Sequence, residues 1–162
     1  MKNLQKNILW EPNHPERTEI AKLTGFINDK YGINIKSYEQ LHRWSIENIP
    51  QFWAEVWEHC GIIHTKPYTT IVNDIKSRPG AKWFEGSKLN YAENLLKFRD
   101  DQIAIKYKSE DKPPRAISYN ELFKEVEKVT HFLRKSGVRK GDRVAGVIPN
   151  IPETVVAMLA TS

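Results

Sequence analysis

Cysteine is nearly missing from this chain, and the single one, Cys60, has no partner for an internal disulfide. That excludes a disulfide-stapled secreted scaffold and fits a reducing compartment. Long apolar runs are missing as well. The longest covers residues 155–160, far short of the ~20 residues that span a bilayer. The first ten residues hold lysines and polar side chains rather than an apolar stretch, so no secretory signal is read there. Glycine is sparse, at 8 of 162 residues. Late in the chain Gly137 and Gly141 flank a basic turn, and Gly146 falls inside an apolar run. That arrangement makes no phosphate cradle. Repeats and low-complexity tracts are absent too. These absences lead us to expect a soluble, cytoplasmic chain without membrane or metal.

What is present is ordinary globular composition, 40% hydrophobic and 28% charged. A length of 162 residues is about one domain. Lysine plus arginine exceed aspartate plus glutamate by 25 to 20, a net charge of +5. This mild excess permits anionic partners without requiring them.

The first half reads as short helices joined by loops. Pro15 suits a first helical turn. Ile20, Leu23, Ile27 and Tyr31 recur at helical spacing, and Gly32 can close that helix. Ser37 with Gln40 resembles a capping box and should start a second helix bearing Tyr38, Leu41 and Trp44. After Pro50 a third helix is expected, with Trp53, Val56, Trp57 and Cys60 as its apolar stripe. Residues 62–100 are punctuated by Pro67, Pro79, Gly80 and Gly86. They read as an ordered loop region, long enough to imply a job.

From residue 102 the character changes. Ile103, Ile105 and Tyr107 alternate with Ala104 and Lys106, which predicts a strand, and residues 115–118 predict the returning arm of a hairpin. Ser118 and Glu121 form a strong capping box for a helix with Leu122, Val126, Val129 and Leu133 on one stripe. Gly137 should cap its end. Residues 143–148 predict another strand. Pro149 and Pro152 then open a last helix that buries Val155, Val156 and Leu159. Strand, helix, strand, helix in this order predicts an α/β layer with a parallel pair. The last stripe stops without a glycine or a cation beyond it. We therefore expect an incomplete α/β unit: a helical extension over residues 1–97, and the first strand-helix-strand-helix units of a larger domain over 98–162.

Several pieces carry a family resemblance when taken in order. Ile117-Ser118-Tyr119-Asn120-Glu121-Leu122 is similar to the first core motif of adenylate-forming enzymes. The turn Gly137-Val138-Arg139-Lys140-Gly141-Asp142-Arg143-Val144 and the loop Ile148-Pro149-Asn150-Ile151-Pro152-Glu153 follow as that superfamily has them. Upstream, Phe52-Trp53-Ala54-Glu55-Val56-Trp57 and Trp83-Phe84-Glu85-Gly86-Ser87-Lys88 resemble the N-terminal extension of acetyl-CoA-synthetase-type ligases. Within these, Leu89-Asn90-Tyr91-Ala92-Glu93-Asn94-Leu95-Leu96 resembles the acetoacetyl-CoA synthetases. The Asp-Arg-His that acetyl- and propionyl-CoA synthetases carry just beyond Asn94 is not found here.

The resemblance implies the N-terminal part of an acetoacetate–CoA ligase, used in ketone-body and lipid metabolism. With Mg²⁺, ATP and acetoacetate would give acetoacetyl-adenylate and pyrophosphate, and CoA would then displace AMP. In the family the phosphate loop, the metal carboxylate and the catalytic lysine lie beyond the position of Ser162. We therefore assign no catalytic, cofactor-binding or metal residue to this chain, and expect no cofactor bound by it alone. A rival reading is a non-catalytic scaffold or interaction piece that self-associates through uncovered apolar surface.

Three other groups invite a chemical reading and receive a plainer one. His59, Cys60 and His64 lie close in sequence, but no fourth ligand is near and Cys60 falls on an apolar stripe, so a buried structural cysteine is expected. Arg134, Lys135, Arg139, Lys140 and Arg143 form a basic cluster that helix-end placement and a solvated turn explain without nucleic acid. Trp44, Trp53, Trp57 and Trp83 would serve base stacking, yet the spacing of Trp53 and Trp57 favours packing.

Overall fold

The computed structural model describes residues 10–162. The chain folds as two compact units. One contains the residues up to Ile62 together with Tyr68–Ser87; the other contains Ile63–Pro67 and Lys88–Ser162.

The first unit is three helices and a small hairpin. Pro15–Arg17 form a separate 3-10 turn rather than the first turn of a longer helix. Thr18 then caps α1 (Glu19–Tyr31), its hydroxyl accepting from the Ala21 N–H at 3.3 Å. Gly32, at φ 63, ends α1 in the left-handed region. Ser37 caps α2 (Tyr38–Glu47). The reciprocal arm of the expected box is displaced by one residue, because the Gln40 side chain accepts from the Lys36 N–H at 2.7 Å. α3 (Ile49–His59) opens with Pro50 in its first turn. Ile27, Ile35 and Leu41 form the buried centre, with Leu23, Trp44 and Phe52 packed against it.

The most buried residue of α3 is not one of the expected apolar positions but Glu55, at 2% exposure. Its two carboxylate oxygens are answered by α1. Lys30 Nζ lies 2.8 Å from one, and the Tyr31 hydroxyl donates to the other at 2.7 Å. A buried carboxylate without such partners would cost several kcal/mol. Lys30 also reaches Glu58 at 2.8 Å, and the Tyr31 ring meets Trp44 edge-on with centroids 5.2 Å apart.

Residues 68–87, read from sequence as loop, hold an antiparallel pair. β1 (Thr70–Val72) and β2 (Trp83–Glu85) align Thr70 with Glu85 and Val72 with Trp83. Rings join this hairpin to α3. Trp57 sits 4.6 Å from Phe84 and 5.3 Å from Tyr68, centroid to centroid. Phe84 takes φ 48 to do this, a conformation that a bulky residue adopts only under strain.

In the second unit, α4 (Tyr91–Leu95) is capped by Asn90, whose side chain accepts from the Glu93 N–H at 2.8 Å. β3 (Ile103–Tyr107) and β4 (Arg115–Ser118) form the expected hairpin, with a register irregularity between Ile103 and Ile105. Ser118 ends β4 and starts α5 (Tyr119–Lys135) through a complete capping box. The Glu121 N–H donates to the Ser118 hydroxyl at 3.2 Å, and the Ser118 N–H donates to the Glu121 carboxylate at 2.8 Å. That second bond, the first of its causes, holds the Glu121 carboxyl below the usual carboxylate range.

At the far end of α5, Gly137 has φ 92. Its N–H bonds the Arg134 carbonyl, and the Val138 N–H bonds that of Leu133, both at 3.1 Å. This is a Schellman closure. α6 (Pro152–Thr161) packs on α5 and buries Pro152, Val156 and Leu159. Val156 and Leu159 join Ala92, Leu96, Leu122 and Val126 in one core, with Ile105 and Ile117 packed against it.

The α/β character with a helical extension stands, but one expected element does not form. Residues 143–148 make no strand, and both sheets among the described residues are antiparallel pairs. A strand requires a hydrogen-bonded neighbour, and this run finds none there, so Val147 is fully exposed. The expected parallel pair is therefore not observed among the described residues.

Two outcomes follow. Replacing Ser118 by Ala removes the hydroxyl arm of the cap, leaving the N–H bond to Glu121, and should cost about 1 kcal/mol, read as a lowered denaturation midpoint. Unchanged melting would show that Ser118 is not the cap. In the first unit the Tyr31 phenol is pushed up to about 12, mainly by burial and then by its bond to Glu55. Lys30 is held above its ordinary range, mainly by Glu55 and then by Glu58. Both folded-state values are raised, so this stability is intact below about pH 10 and is lost as pH rises through the folded values. Ultraviolet titration of Glu55→Gln should bring the Tyr31 transition down toward the ordinary tyrosine value, while an unmoved transition would remove Glu55 as a cause.

Candidate functional site

The chemistry-bearing residues are best judged by where the elements put them. The second unit carries a groove of about 760 Å³ bordered by α4, α5, α6 and the turn after α5. Its floor is apolar, with Leu96, Val126 and Leu159. His131, Arg134, Arg139 and Lys140 of the expected basic cluster and its neighbourhood line it, while Lys135 and Arg143 do not. Glu127 and Asp142 line it as well, so the rim is mixed in sign. Arg134 and Lys135 occupy the last turn of α5, where cations suit the helix dipole. The Asp142 carboxylate accepts from the Arg139 N–H at 2.8 Å and tightens the turn. The cluster is thus tied to a helix end and a turn, as the sequence suggested.

The His59, Cys60 and His64 trio does not assemble as a metal site. Among the described residues, no group of three histidine, cysteine, aspartate or glutamate side chains is placed to hold a metal ion. His59 and Cys60 end α3 in the first unit, whereas His64 belongs to the second. Cys60 is exposed at the C-terminal cap of α3, which corrects the expectation of a buried cysteine. Helical spacing put it on the stripe, but Cys60 is the C-cap residue, one beyond the last residue of α3. The His59 ring is half-buried, near Phe26 at 6.2 Å. Its Nε2 finds no hydrogen-bond partner among the described residues and stands 3.6 Å from the Glu19 carboxylate.

The tryptophans pack, as expected. Trp44 meets Tyr31, Trp57 meets Tyr68 and Phe84, and Trp53 meets Trp83 edge-on at 6.1 Å. Trp44 and Trp57 are half-buried within these contacts, while Trp53 and Trp83 remain 43% and 40% exposed. Sequence reasoning missed Glu55, the polar centre of the first unit. The available signal was its position at the middle of the Trp53 to Trp57 turn, opposite a Lys-Tyr pair closing α1.

With this geometry in hand, comparison with known proteins gives a consistent answer. A family model of the acetyl-coenzyme A synthetase N-terminus matches residues 38–95, and a model of AMP-binding enzymes matches residues 92–162. Acetoacetyl-CoA synthetase from Danio rerio is 38% identical over 163 residues, which is 98% of this chain and 24% of that protein. Over nearly its whole length the chain is similar to acetoacetyl-CoA synthetases.

Acetoacetyl-coenzyme A synthetase from Rhizobium meliloti (strain 1021) is 34% identical over 95% of this chain and 24% of its own length. Malonamoyl-CoA synthetase from Penicillium aethiopicum is 35% identical over 97% of this chain and 23% of its own. In three dimensions, acetoacetyl-CoA synthetase from Streptomyces lividans matches with a TM-score of 0.77 at 37% identity, over 90% of this chain and 23% of that one. The chain thus spans about a quarter of the length of these relatives. No helix among the described residues is long and apolar enough to cross a membrane.

The ring cluster offers a direct test of packing against stacking. Trp57→Ala should lower the stability of the first unit by about 3 kcal/mol, near the low end for large aromatic truncations because Trp57 is only half-buried. Urea denaturation followed by near-ultraviolet circular dichroism would read it; an unchanged midpoint would leave the ring available for another role.

Proposed function

We propose that these residues are the N-terminal part of an acetoacetate–CoA ligase. Residues 1–97 are its extension and 98–162 the first layer of its AMP-binding domain. The observation that carries the reading is the order and continuity of the two matches, extension then AMP-binding segment, across residues 38–162. The role of this part is scaffolding. It supplies a capped hairpin-helix layer for a larger domain.

ATP, Mg²⁺ and CoA are the reaction's other participants in this reading. The residues present do not fit a phosphate or metal site. Gly137 and Gly141 take φ 92 and 101 to close a helix and a turn, and neither begins a helix whose N–H groups would face a phosphate. Among the described residues no carboxylate cluster stands ready for a cation. We therefore route no step through them, and propose that the 162-residue chain alone does not form an adenylate.

The acyl group is acetoacetate in this reading, although a malonamoyl-CoA synthetase lies within the same range of identity. The experiment is a pyrophosphate-release assay with ATP, Mg²⁺ and CoA, using acetoacetate and malonamate in parallel. The isolated chain should show no turnover with either. Fused to the remainder of the Streptomyces lividans relative, it should support acetoacetate turnover. Turnover by the isolated chain, or a folded but inactive fusion, would sink the scaffold role.

One observation favours a second reading, self-association of the isolated chain. Phe132, Val147 and Met158 are exposed in the second unit. A sedimentation coefficient that rises with concentration would support it, and a monomer at all concentrations would end it.

A further inference from the structure

The five-residue helix α4 is too short to persist unaided, yet one of its side chains performs a task that packing does not require. Asn94 spends its carboxamide on the backbone of a single distant residue. Its Oδ1 accepts from the Ile63 N–H at 2.8 Å, and its Nδ2 donates to the Ile63 carbonyl at 2.9 Å. The same Nδ2 also donates to the Asn90 carbonyl at 2.9 Å, one turn back. The side chain thus uses three of its four hydrogen-bonding positions. It reads both backbone groups of Ile63, as a neighbouring strand residue would.

Two residues further on, the same stretch is gripped again. The Thr65 N–H donates to the Lys88 carbonyl at 2.7 Å, and the Lys88 N–H donates to the Lys66 carbonyl at 3.0 Å, an isolated antiparallel bridge. The Thr65 hydroxyl adds a bond of 3.1 Å to the same Lys88 carbonyl. Ile63–Pro67 belong to the second unit, and among the described residues Asn94 and Lys88 fasten them there. They form no helix or strand of their own and contribute no residue to its buried core. This is the stem through which the chain leaves for residues 68–87, and Lys88 is where it returns.

We propose that Asn94 is a latch, and that its carboxamide decides whether the stem Ile63–Pro67 is closed on Lys88 or open. The stem has few apolar contacts and hydrogen bonds that lie at the surface, which is the character of a segment that opens locally before the rest of the fold. Releasing the Ile63 end leaves the Lys66–Lys88 bridge as a lone pairing without a neighbouring ladder. The two fastenings open together, and the core of α5 and α6 stays shut.

Site-resolved amide hydrogen exchange on the full chain tests this. Asn94→Ala removes both bonds to Ile63, so stem exchange should rise roughly tenfold or more. The rise should appear at Ile63 and equally at Thr65 and Lys88, with Leu122 and Val126 unchanged. Asn94→Asp keeps the acceptor for the Ile63 N–H and loses the donor. It should give an intermediate rate at all three stem amides. A rise confined to Ile63 would show that the Lys88 bridge stands alone and would overturn the latch. A rise shared with Leu122 and Val126 would make Asn94 a general stability residue and overturn it equally. No change at Ile63 in either variant would show that the bonds do not form in solution.

Discussion

A carboxylate removed from water must be answered in kind, and Glu55 is removed almost completely. Everything around it in the first unit is arranged to meet that demand. Lys30 and Tyr31 stand side by side at the end of α1, so one helix terminus presents a cation and a hydroxyl to the two oxygens. Gly32 can stop α1 immediately afterwards because it tolerates the left-handed backbone. Lys30 spans Glu55 and Glu58, one turn apart on α3, and fixes the rotation of that helix as well as its distance. An apolar contact would tolerate sliding. A pair of directed bonds does not, and this gives the α1 and α3 contact its register.

The second unit solves a different problem with similar means. A hairpin must become a helix without leaving open backbone donors, and Ser118 does both jobs at one residue. It is the last residue of β4, and its hydroxyl opens α5. Asn90 and Asn94 repeat the device on α4, one capping and the other reaching Ile63. The apolar core of α4, α5 and α6 supplies most of the driving force. The polar fasteners at its margins decide where each helix begins.

The similarity to acetoacetyl-CoA synthetases runs through both units. The described residues gather groups that shape three helices with a hairpin in one unit and a hairpin-helix layer in the other. The wording of residues 89–96, which carries the family resemblance most narrowly, turns out to be largely structural here. Ala92 and Leu96 enter the core, and Asn90 and Asn94 bind backbone.

Local pattern alone determined much of this chain. Caps at Ser37 and Ser118 act within four residues, and the apolar stripe of α5 repeats at its own period. Such interactions are legible because both partners lie in one short window. The hairpin of β3 and β4 was legible for the same reason. Tertiary structure alone decided the rest. Glu55 lies among tryptophans, and only the approach of Lys30 from 25 residues away makes its burial tolerable. β1 and β2 are too short for periodicity and exist because Trp57 and Tyr68 fix Phe84 between them. Residues 143–148 have the composition of a strand and remain unpaired, because pairing belongs to two segments and composition to one.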